Sequence, residues 1–316
     1  MAESSNPQLL NIDIGAVVET VVDWIQTNLA GVLDGIAAVI DFVVSNLEGL
    51  LLWVDPYVAG ALLVLLGFWR VSRGFGVFCL ISVLLFWEMT LWDETMSTVA
   101  LVISASLVAI AVGVPVGIAM SRSDIVERIV RPILDLMQTM PPFVYLIPAA
   151  IFFGLGKVPG TIATVVFAMP PAVRLTNLGI RQVSEENIEA GLAFGCTPRQ
   201  LLTKVQMPLA MPTIMQGVNQ TIMLSLSMVV IASMIGAGGL GNVVLTGIQR
   251  LNVGLGFEGG LGVVLIAILL DRITQTFGDP HRQGSSGGGL VARLRQSLLG
   301  HRPPEEPTDD AAGSKA

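Results

Sequence analysis

The chain has 316 residues, of which 53% are hydrophobic and only 13% are charged, and its formal net charge is −7. A soluble domain of this length usually carries about twice that share of charged residues. Apolar runs close to the ~20 residues needed to cross a bilayer recur along the chain. The composition therefore excludes an ordinary soluble enzyme and indicates an all-α polytopic membrane protein.

The first segment, residues 1–52, contains acidic residues but no Lys or Arg. Its apolar residues recur at helical spacing with acidic residues among them, which predicts an amphipathic N-terminal extension of one or two helices. Such helices either lie on the membrane surface or pack on the protein. Because the segment is acidic, it is not attracted to anionic lipids, so packing is at least as strong an alternative.

Apolar segments that follow predict about seven transmembrane helices within residues 53–278. They lie near residues 53–69, 74–91, 95–120, 140–155, 158–174, 212–236 and 258–278. Pro141 and Pro142 open the fourth, where proline is tolerated better than in a helix interior. Residues 279–316 are rich in Gly, Ser and Pro and predict a flexible tail with one short amphipathic helix.

Positive charges predict the orientation in the membrane. Of the 17 Lys and Arg residues, all except Lys157 and Arg250 fall in alternate connections between spans or in the tail. Because positive charges mark the cytoplasmic side, we expect the N-terminus outside and the C-terminus in the cytoplasm. The polar connection between the fifth and sixth spans, residues 184–208, is then cytoplasmic, and we call it the elbow.

The elbow is predicted to form two short helices separated by a break. Ser184 is expected to cap the first helix, and Gly195 to end it in the left-handed conformation. Thr197 is expected to start the second helix, with Gln200 completing a capping box, and Pro208 to end it. This pattern alone fits an ordinary loop between spans as well as it fits a docking element.

Several sequence motifs of catalysis and cofactor binding are missing or misplaced. No phosphate-binding loop of the form G-x-x-x-x-G-K-[ST] occurs, so we do not expect the chain to hydrolyse ATP or to be an enzyme. The run 236–241 matches G-x-G-x-x-G, but it follows a predicted span rather than a strand, so we expect a turning external loop. His281 and His301 lie in the tail, and Cys79 and Cys196 lack metal-binding spacing, so no metal site is expected.

The sixth predicted span carries uncharged polar residues that make it the best candidate for the wall of a translocation path. Any one of these residues fits an interhelical hydrogen bond better than a path-lining role. The candidate path residues are Met140, Tyr145, Asn219, Ser225 and Ser227. Charges are nearly absent from the span centres, which disfavours an ion-coupled carrier.

The elbow also contains five residue positions at a characteristic spacing. They are Glu189, Ala190, Gly191, Gly195 and Pro208. Three residues separate Gly191 from Gly195, and nine residues separate Gly195 from the four-residue group, 205–208, that Pro208 ends. This set resembles the signature of ABC importer permeases, from which it departs only by small or apolar exchanges at Gly191, Val205 and Met207. Residues 95–278 further resemble the glycine betaine/proline betaine permease subfamily.

The resemblance implies a type I ABC importer permease core in a bacterial inner membrane, with the elbow docking on a cytosolic ABC ATPase. It implies that ATP is bound by that partner, that this chain binds no cofactor, and that the chain works with a second copy of itself and a separate periplasmic substrate-binding protein. Glycine betaine is the implied solute. Choline, carnitine, proline betaine, trimethylamine N-oxide and methionine remain alternatives, as does a stand-alone osmolyte channel or carrier.

Overall fold

The computed structural model describes residues 14–278, and within that range all regular elements are helical. The predicted tail, 279–316, lies outside the described residues. The α-helices are α1 (Ile14–Asn28), α2 (Ala30–Trp53), α3 (Pro56–Leu66), α4 (Arg73–Glu88), α5 (Trp92–Arg122), α6 (Asp124–Thr139), α7 (Pro142–Phe153), α8 (Lys157–Arg181), α9 (Glu185–Ala193), α10 (Pro198–Gln200), α11 (Met207–Ala232), α12 (Gly239–Gln249) and α13 (Val253–Gly278). Turns of π-helix follow α3 at Gly67–Val71 and precede α11 at Leu201–Gln206.

Five helical segments among the described residues are long and apolar enough to cross a membrane, and α6 with α7 makes a sixth if the pair is one span. The five are α2, α5, α8, the continuous segment Pro198–Ile235 and Val253–Thr276. The all-α polytopic fold is confirmed, but the number of seven spans is not. The predicted first span falls on the short apolar segment Pro56–Val71. The predicted second span falls on α4, whose 16 residues are fewer than the ~20 that a full crossing needs.

The predicted fourth span, 140–155, differs from the structure in its extent. Its helix, α7, has only 12 residues, or about 18 Å, and a bend of 103° joins it to α6. Pro142 opens α7 as predicted, and Gly154 ends it at φ +78°, because a left-handed residue cannot continue a helix. The apolar run in the sequence continues past this helix end and therefore conceals it.

The centre of the protein is formed by α5, α8 and α11, which pack closely at glycine residues. A Cβ atom added at Gly117 would lie 2.6 Å from the carbonyl oxygen of Val173, and one added at Gly217 would lie 3.0 Å from that of Pro171. Small residues at such crossings let membrane helices approach one another. The helix that follows the elbow, α11, is therefore held tightly between two other long helices.

The N-terminal helices pack on the rest of the protein. Helix α2 contacts α5 and α8, and both carboxylate oxygens of Glu48 accept hydrogen bonds from Lys157 Nζ at 2.6 Å. Near the end of α1, Gln26 Nε2 donates to the carbonyl oxygen of Ile151 at 2.9 Å. Helix α2 is also long and apolar enough to cross a membrane, a possibility that our prediction of an extension outside the membrane did not include.

The glycine-rich run 236–241 forms the tight turn that we predicted, followed by a helix that we did not. Gly236, Gly238 and Gly239 all have positive φ, and α12 begins at the last of them. Thr98 Oγ1 accepts a hydrogen bond from Leu240 N at 2.8 Å, which ties the start of α12 to α5. Helix α11 precedes the turn, so the strand needed for a dinucleotide site is missing here.

Candidate functional site

The elbow bends at Gly195, as predicted. This residue has φ +76°, which favours glycine because a Cβ atom is disfavoured there. Its N–H donates to the carbonyl oxygen of Leu192 at 2.9 Å, and Cys196 N donates to that of Gly191 at 3.1 Å. These two bonds are the Schellman pattern that ends helices on a left-handed residue, so α9 ends at a defined angle.

The chain restarts as a helix with the predicted capping box. Thr197 N donates to Gln200 Oε1 at 2.9 Å, and Gln200 N donates to Thr197 Oγ1 at 3.4 Å. The reciprocal bonds satisfy two of the backbone N–H groups that a helix start leaves free. The second half of the elbow therefore has a fixed starting point two residues after the bend.

Our prediction that Pro208 ends the second helix is wrong. The chain is helical without interruption over Pro198–Ile235, and Pro208 lies in the first turn of α11. The π-helical turn Leu201–Gln206 comes directly before it, and Met207 N donates to the carbonyl oxygen of Leu202. A wider turn is a common adjustment where the helical bonding pattern is interrupted. The second half of the elbow, from Pro198, and α11 therefore form one continuous helical rod.

The expected side-chain cap at Ser184 is also wrong. This residue precedes α9, but its hydroxyl accepts a hydrogen bond from Asn187 Nδ2 at 2.9 Å instead of from a backbone N–H. Glu185 and Glu186 still occupy the first turn of the helix, where negative charge is favourable. The first helix of the elbow is thus favoured by its charges rather than by a serine cap.

The elbow exposes an apolar tip beside a carboxylate. Glu189 and Ala190 are exposed, and Glu189 makes no side-chain hydrogen bond or ion pair within residues 14–278. Leu192 is 54% exposed and Phe194 is 90% exposed. Gly191 is buried, and a Cβ atom there would lie 2.8 Å from Leu201 Cδ1, so its role is to bring the two halves together. Our sequence prediction omitted Phe194, although an aromatic residue in a polar segment was a signal for it.

A polar contact fixes the elbow to α5, and ion pairs join α8 to α6 just before the elbow begins. Arg122 Nη2, at the end of α5, donates to the carbonyl oxygen of Pro198 at 2.7 Å. Arg181, at the end of α8, forms ion pairs with Asp124 at 2.8 Å and Glu127 at 3.1 Å on α6. The sequence did not identify these contacts, because each joins residues that are far apart along the chain.

Four of the five candidate path residues are directed into the protein. Ser225 is fully buried and accepts a hydrogen bond from Ser106 on α5 at 3.1 Å. Asn219 Nδ2 donates to Asp271 on α13 at 3.0 Å. Tyr145 is buried, and its hydroxyl donates to the carbonyl oxygen of Met137. These contacts are the interhelical and structural bonds that we considered as the alternative.

The remaining path candidates differ from one another. Met140 is half-buried and packs in the apolar cluster of Tyr145. Ser227 is exposed and lies on one face of α11 with other exposed residues at intervals of three or four. This face comprises Gln216, Gln220, Met223 and Ser227. Ser227 Oγ donates to the carbonyl oxygen of Met223 at 3.0 Å. The amide groups of Gln216 and Gln220 require a polar partner or water in a membrane, so this face is the better candidate for a path wall.

The part of the chain that the structure describes contains no group of three or more His, Cys, Asp and Glu side chains that could hold a metal. The arrangement can therefore be described without a metal ligand set. It consists of an exposed apolar tip, a continuous helical segment from Pro198 to Ile235, and a polar face along that segment. Nothing in it requires a nucleophile or an acid–base pair.

The chain is similar to membrane transport proteins over most of its length. Residues 105–279 match the family described as "Binding-protein-dependent transport system inner membrane component". The chain is 49% identical over 262 residues to the glycine betaine/proline betaine transport system permease protein ProW of Escherichia coli (strain K12), covering 83% of this chain and 74% of that protein. It is 48% identical over 275 residues to the glycine betaine/carnitine transport permease protein GbuB of Listeria monocytogenes serotype 1/2a (strain 10403S), covering 86% of this chain and 97% of that protein.

The fold is also similar to a solved structure. One chain of the inward-facing MetNI methionine ABC transporter, in its CY5 native crystal form, aligns with a TM-score of 0.54 and 21% sequence identity. The alignment covers 60% of this chain and 94% of that chain. At this level of identity the likeness concerns the fold alone, and it confirms the permease fold that we expected from the elbow.

Proposed function

The chain belongs to the binding-protein-dependent transport system inner membrane component family, and from this premise we propose that it is the permease subunit of an ATP-driven importer. Its solute is glycine betaine or a related quaternary ammonium compound, which the names of its two relatives support. ATP is hydrolysed by a cytosolic ABC ATPase partner, and this multi-pass membrane chain is a transport subunit that binds no cofactor. A separate periplasmic substrate-binding protein delivers the solute.

The single observation that carries this proposal is the helical continuity between the second half of the elbow and α11. The exposed tip at Leu192 and Phe194, next to the unpaired carboxylate of Glu189, suits docking in a groove of the ATPase. From Pro198 the chain runs as one helical segment to Ile235. The tip lies before the bend at Gly195, and its displacement reaches this segment through the close packing of Gly191 against Leu201.

The elbow residues have distinct roles in this coupling. Glu189 and Ala190 face the partner, whereas Gly191 and Gly195 set the packing and the angle of the two halves. Pro208 lies in the first turn of α11, after the π-helical turn, and allows the rod to enter the membrane. ATP-driven closure of two ATPase subunits moves two such elbows and switches the path between its outward-open and inward-open states.

The path itself is formed where two copies of the permease face each other. The exposed face of α11 carries Gln216 and Gln220, whose amides would be unfavourable in contact with lipid tails. A second copy and a water-filled path would satisfy these groups. In this proposal Ser227 remains a path residue, while Ser225 and Asn219 hold α11 against its neighbours.

The orientation follows from the charge distribution. We place the N-terminus outside and the C-terminus in the cytoplasm of a bacterial inner membrane, so that the elbow is cytoplasmic. Lys157, one of two basic residues on the outer side, forms an ion pair with Glu48 of the acidic extension. Both partners of this bond lie on the outer surface in the proposed orientation.

The decisive experiment is uptake into proteoliposomes that contain the permease, the partner ATPase and the substrate-binding protein. We expect radiolabelled glycine betaine to accumulate only when ATP is present on the same side of the liposome membrane as the ATPase. Choline, carnitine, proline betaine, trimethylamine N-oxide and methionine are tested as competitors to define the solute. Uptake by the permease alone, without ATP, would instead support a channel or carrier and would overturn the proposal.

A further inference from the structure

A cavity of about 270 Å³ lies where the start of α3 meets the turn between α4 and α5. Its lining is mostly aromatic, with one carboxylate. The aromatic members are Tyr57, Phe86, Trp87 and Trp92, and the carboxylate belongs to Asp93. None of its lining residues is basic. Our sequence analysis did not identify an aromatic cage, because these rings come from two segments about thirty residues apart and meet only in the folded protein.

The rings form one continuous wall. The centroids of Tyr57 and Trp87 are 4.8 Å apart, and those of Trp87 and Trp92 are 6.2 Å apart. Trp92 is buried at 8% exposure, whereas Tyr57 is 70% exposed. Trp87 is packed over Gly60, where an added Cβ atom would lie 3.0 Å from the indole. The inner rings are therefore held in place, and the outer ring leaves the cavity open to a ligand.

The turn that holds these rings has an uncommon backbone. Thr90 has φ +55°, a conformation that is disfavoured for a β-branched residue. Two hydrogen bonds maintain it, from Thr90 N to the carbonyl oxygen of Trp87 and from Leu91 N to that of Phe86, each at 3.1 Å. These bonds are the Schellman pattern that also ends α9, so the end of α4 fixes the position of Trp87 relative to Trp92.

The charge near the cavity is negative. Asp93 lines it, Glu88 and Glu94 flank the same turn in sequence, and Asp55 caps α3 by accepting a hydrogen bond from Tyr57 N at 2.9 Å. Aromatic faces attract cations, and a cation with methyl groups also gains from contact with apolar rings. A volume near 270 Å³ is slightly below the usual range for drug-sized ligands and suits a small molecule.

From this geometry we propose that the cavity formed by Tyr57, Trp87, Trp92 and Asp93 binds the trimethylammonium group of a small ligand. The site is separate from the α11 face, since none of its lining residues belongs to α11. It lies at the start of α5, whose 31 residues span about 45 Å to the end that contacts the elbow. The proposal does not depend on transport, because binding alone tests it.

The test is ligand binding by the purified full-length protein. Tetramethylammonium is titrated into protein in detergent micelles and followed by saturation-transfer difference NMR. We expect tetramethylammonium to bind saturably. The neutral isostere of choline, 3,3-dimethyl-1-butanol, should bind about tenfold more weakly than tetramethylammonium. Tyr57→Ala and Asp93→Asn should each weaken tetramethylammonium binding by about three- to tenfold.

Matched controls separate this site from general effects on folding. Tyr57 and Asp93 are exposed, so both variants should retain wild-type thermal unfolding. Trp69 is 81% exposed and lies outside the cavity. The control variant Trp69→Ala should therefore bind tetramethylammonium as the wild type does. Equal binding of the neutral isostere, unchanged binding by both cavity variants, or no saturable binding would each overturn the proposal.

The natural source of the trimethylammonium group is a free solute or a lipid headgroup. Repeating the titration in nanodiscs of phosphatidylcholine and of phosphatidylglycerol distinguishes them. Weaker tetramethylammonium binding in phosphatidylcholine would assign the site to the lipid headgroup. Equal binding in both membranes would assign it to a free solute. Either result is consistent with the site, provided that binding requires Tyr57 and Asp93.

Discussion

Replacing Gly195 by proline tests the elbow most sharply, because the change is confined to one backbone position. Proline fixes φ near −65°, whereas Gly195 has φ +76°. The substitution also removes the N–H that donates to Leu192 O at 2.9 Å, and it disfavours the turn conformation of Phe194, whose ψ is 8°. The lost hydrogen bond costs about 1 kcal/mol, and the backbone conflict adds about 1–3 kcal/mol.

The native bend of the elbow is therefore disfavoured by about 2–4 kcal/mol, or about 30- to 1,000-fold in its population. We expect Gly195→Pro to abolish ATP-dependent uptake in proteoliposomes. Membrane insertion should stay normal, as measured by the amount of protein extracted from the membrane and by its thermal unfolding. Gly195→Asn is the matched control, because asparagine tolerates a left-handed conformation and no atom lies within 4 Å of the added Cβ atom. Wild-type uptake by Gly195→Pro would refute the reasoning.

Three further predictions concern side chains. Phe194→Ala should leave thermal stability within about 0.5 kcal/mol of wild type but weaken co-purification of the ATPase by about tenfold; unchanged co-purification would contradict a docking role. Arg122→Ala removes the bond to Pro198 O and should lower uptake per ATP hydrolysed, with Arg122→Lys partly restoring it; full coupling in Arg122→Ala would argue against this anchor. Glu48→Gln should lower the free energy of unfolding by about 1 kcal/mol. Exchanging the charges of Glu48 and Lys157 should recover part of that loss. An unchanged free energy of unfolding in Glu48→Gln would show that the ion pair does not stabilise the protein.

The parts of the elbow that were correctly predicted are those specified by a few adjacent residues. A glycine that stops a helix and a Thr-x-x-Gln box both act through backbone groups within five residues. The sequence therefore indicates the bend at Gly195 and the restart at Thr197 directly. The membrane class was equally accessible, since apolar runs and the scarcity of charge follow from composition alone.

The failures share one physical cause, which is a dependence on contacts or backbone adjustments that no local pattern encodes. Pro208 is accommodated by a π-helical turn, and Ser184 pairs with a side chain rather than with the backbone. Ser225 and Asn219 were polar enough for a path, but partners on α5 and α13 turn them inward. The cavity at Trp87 also required folding to bring its rings together.

Cross-linking between the elbow and the ATPase tests the central claim most directly. Phe194→Cys is introduced together with Cys196→Ser, and the reconstituted complex is treated with a short thiol-to-amine cross-linker. Ile248→Cys, in α12 at 64% exposure and on the proposed outer side, is the control. The account predicts an adduct with the ATPase from Phe194→Cys whose yield changes when ATP is added, and none from Ile248→Cys. An ATPase adduct from Ile248→Cys and none from Phe194→Cys would contradict it.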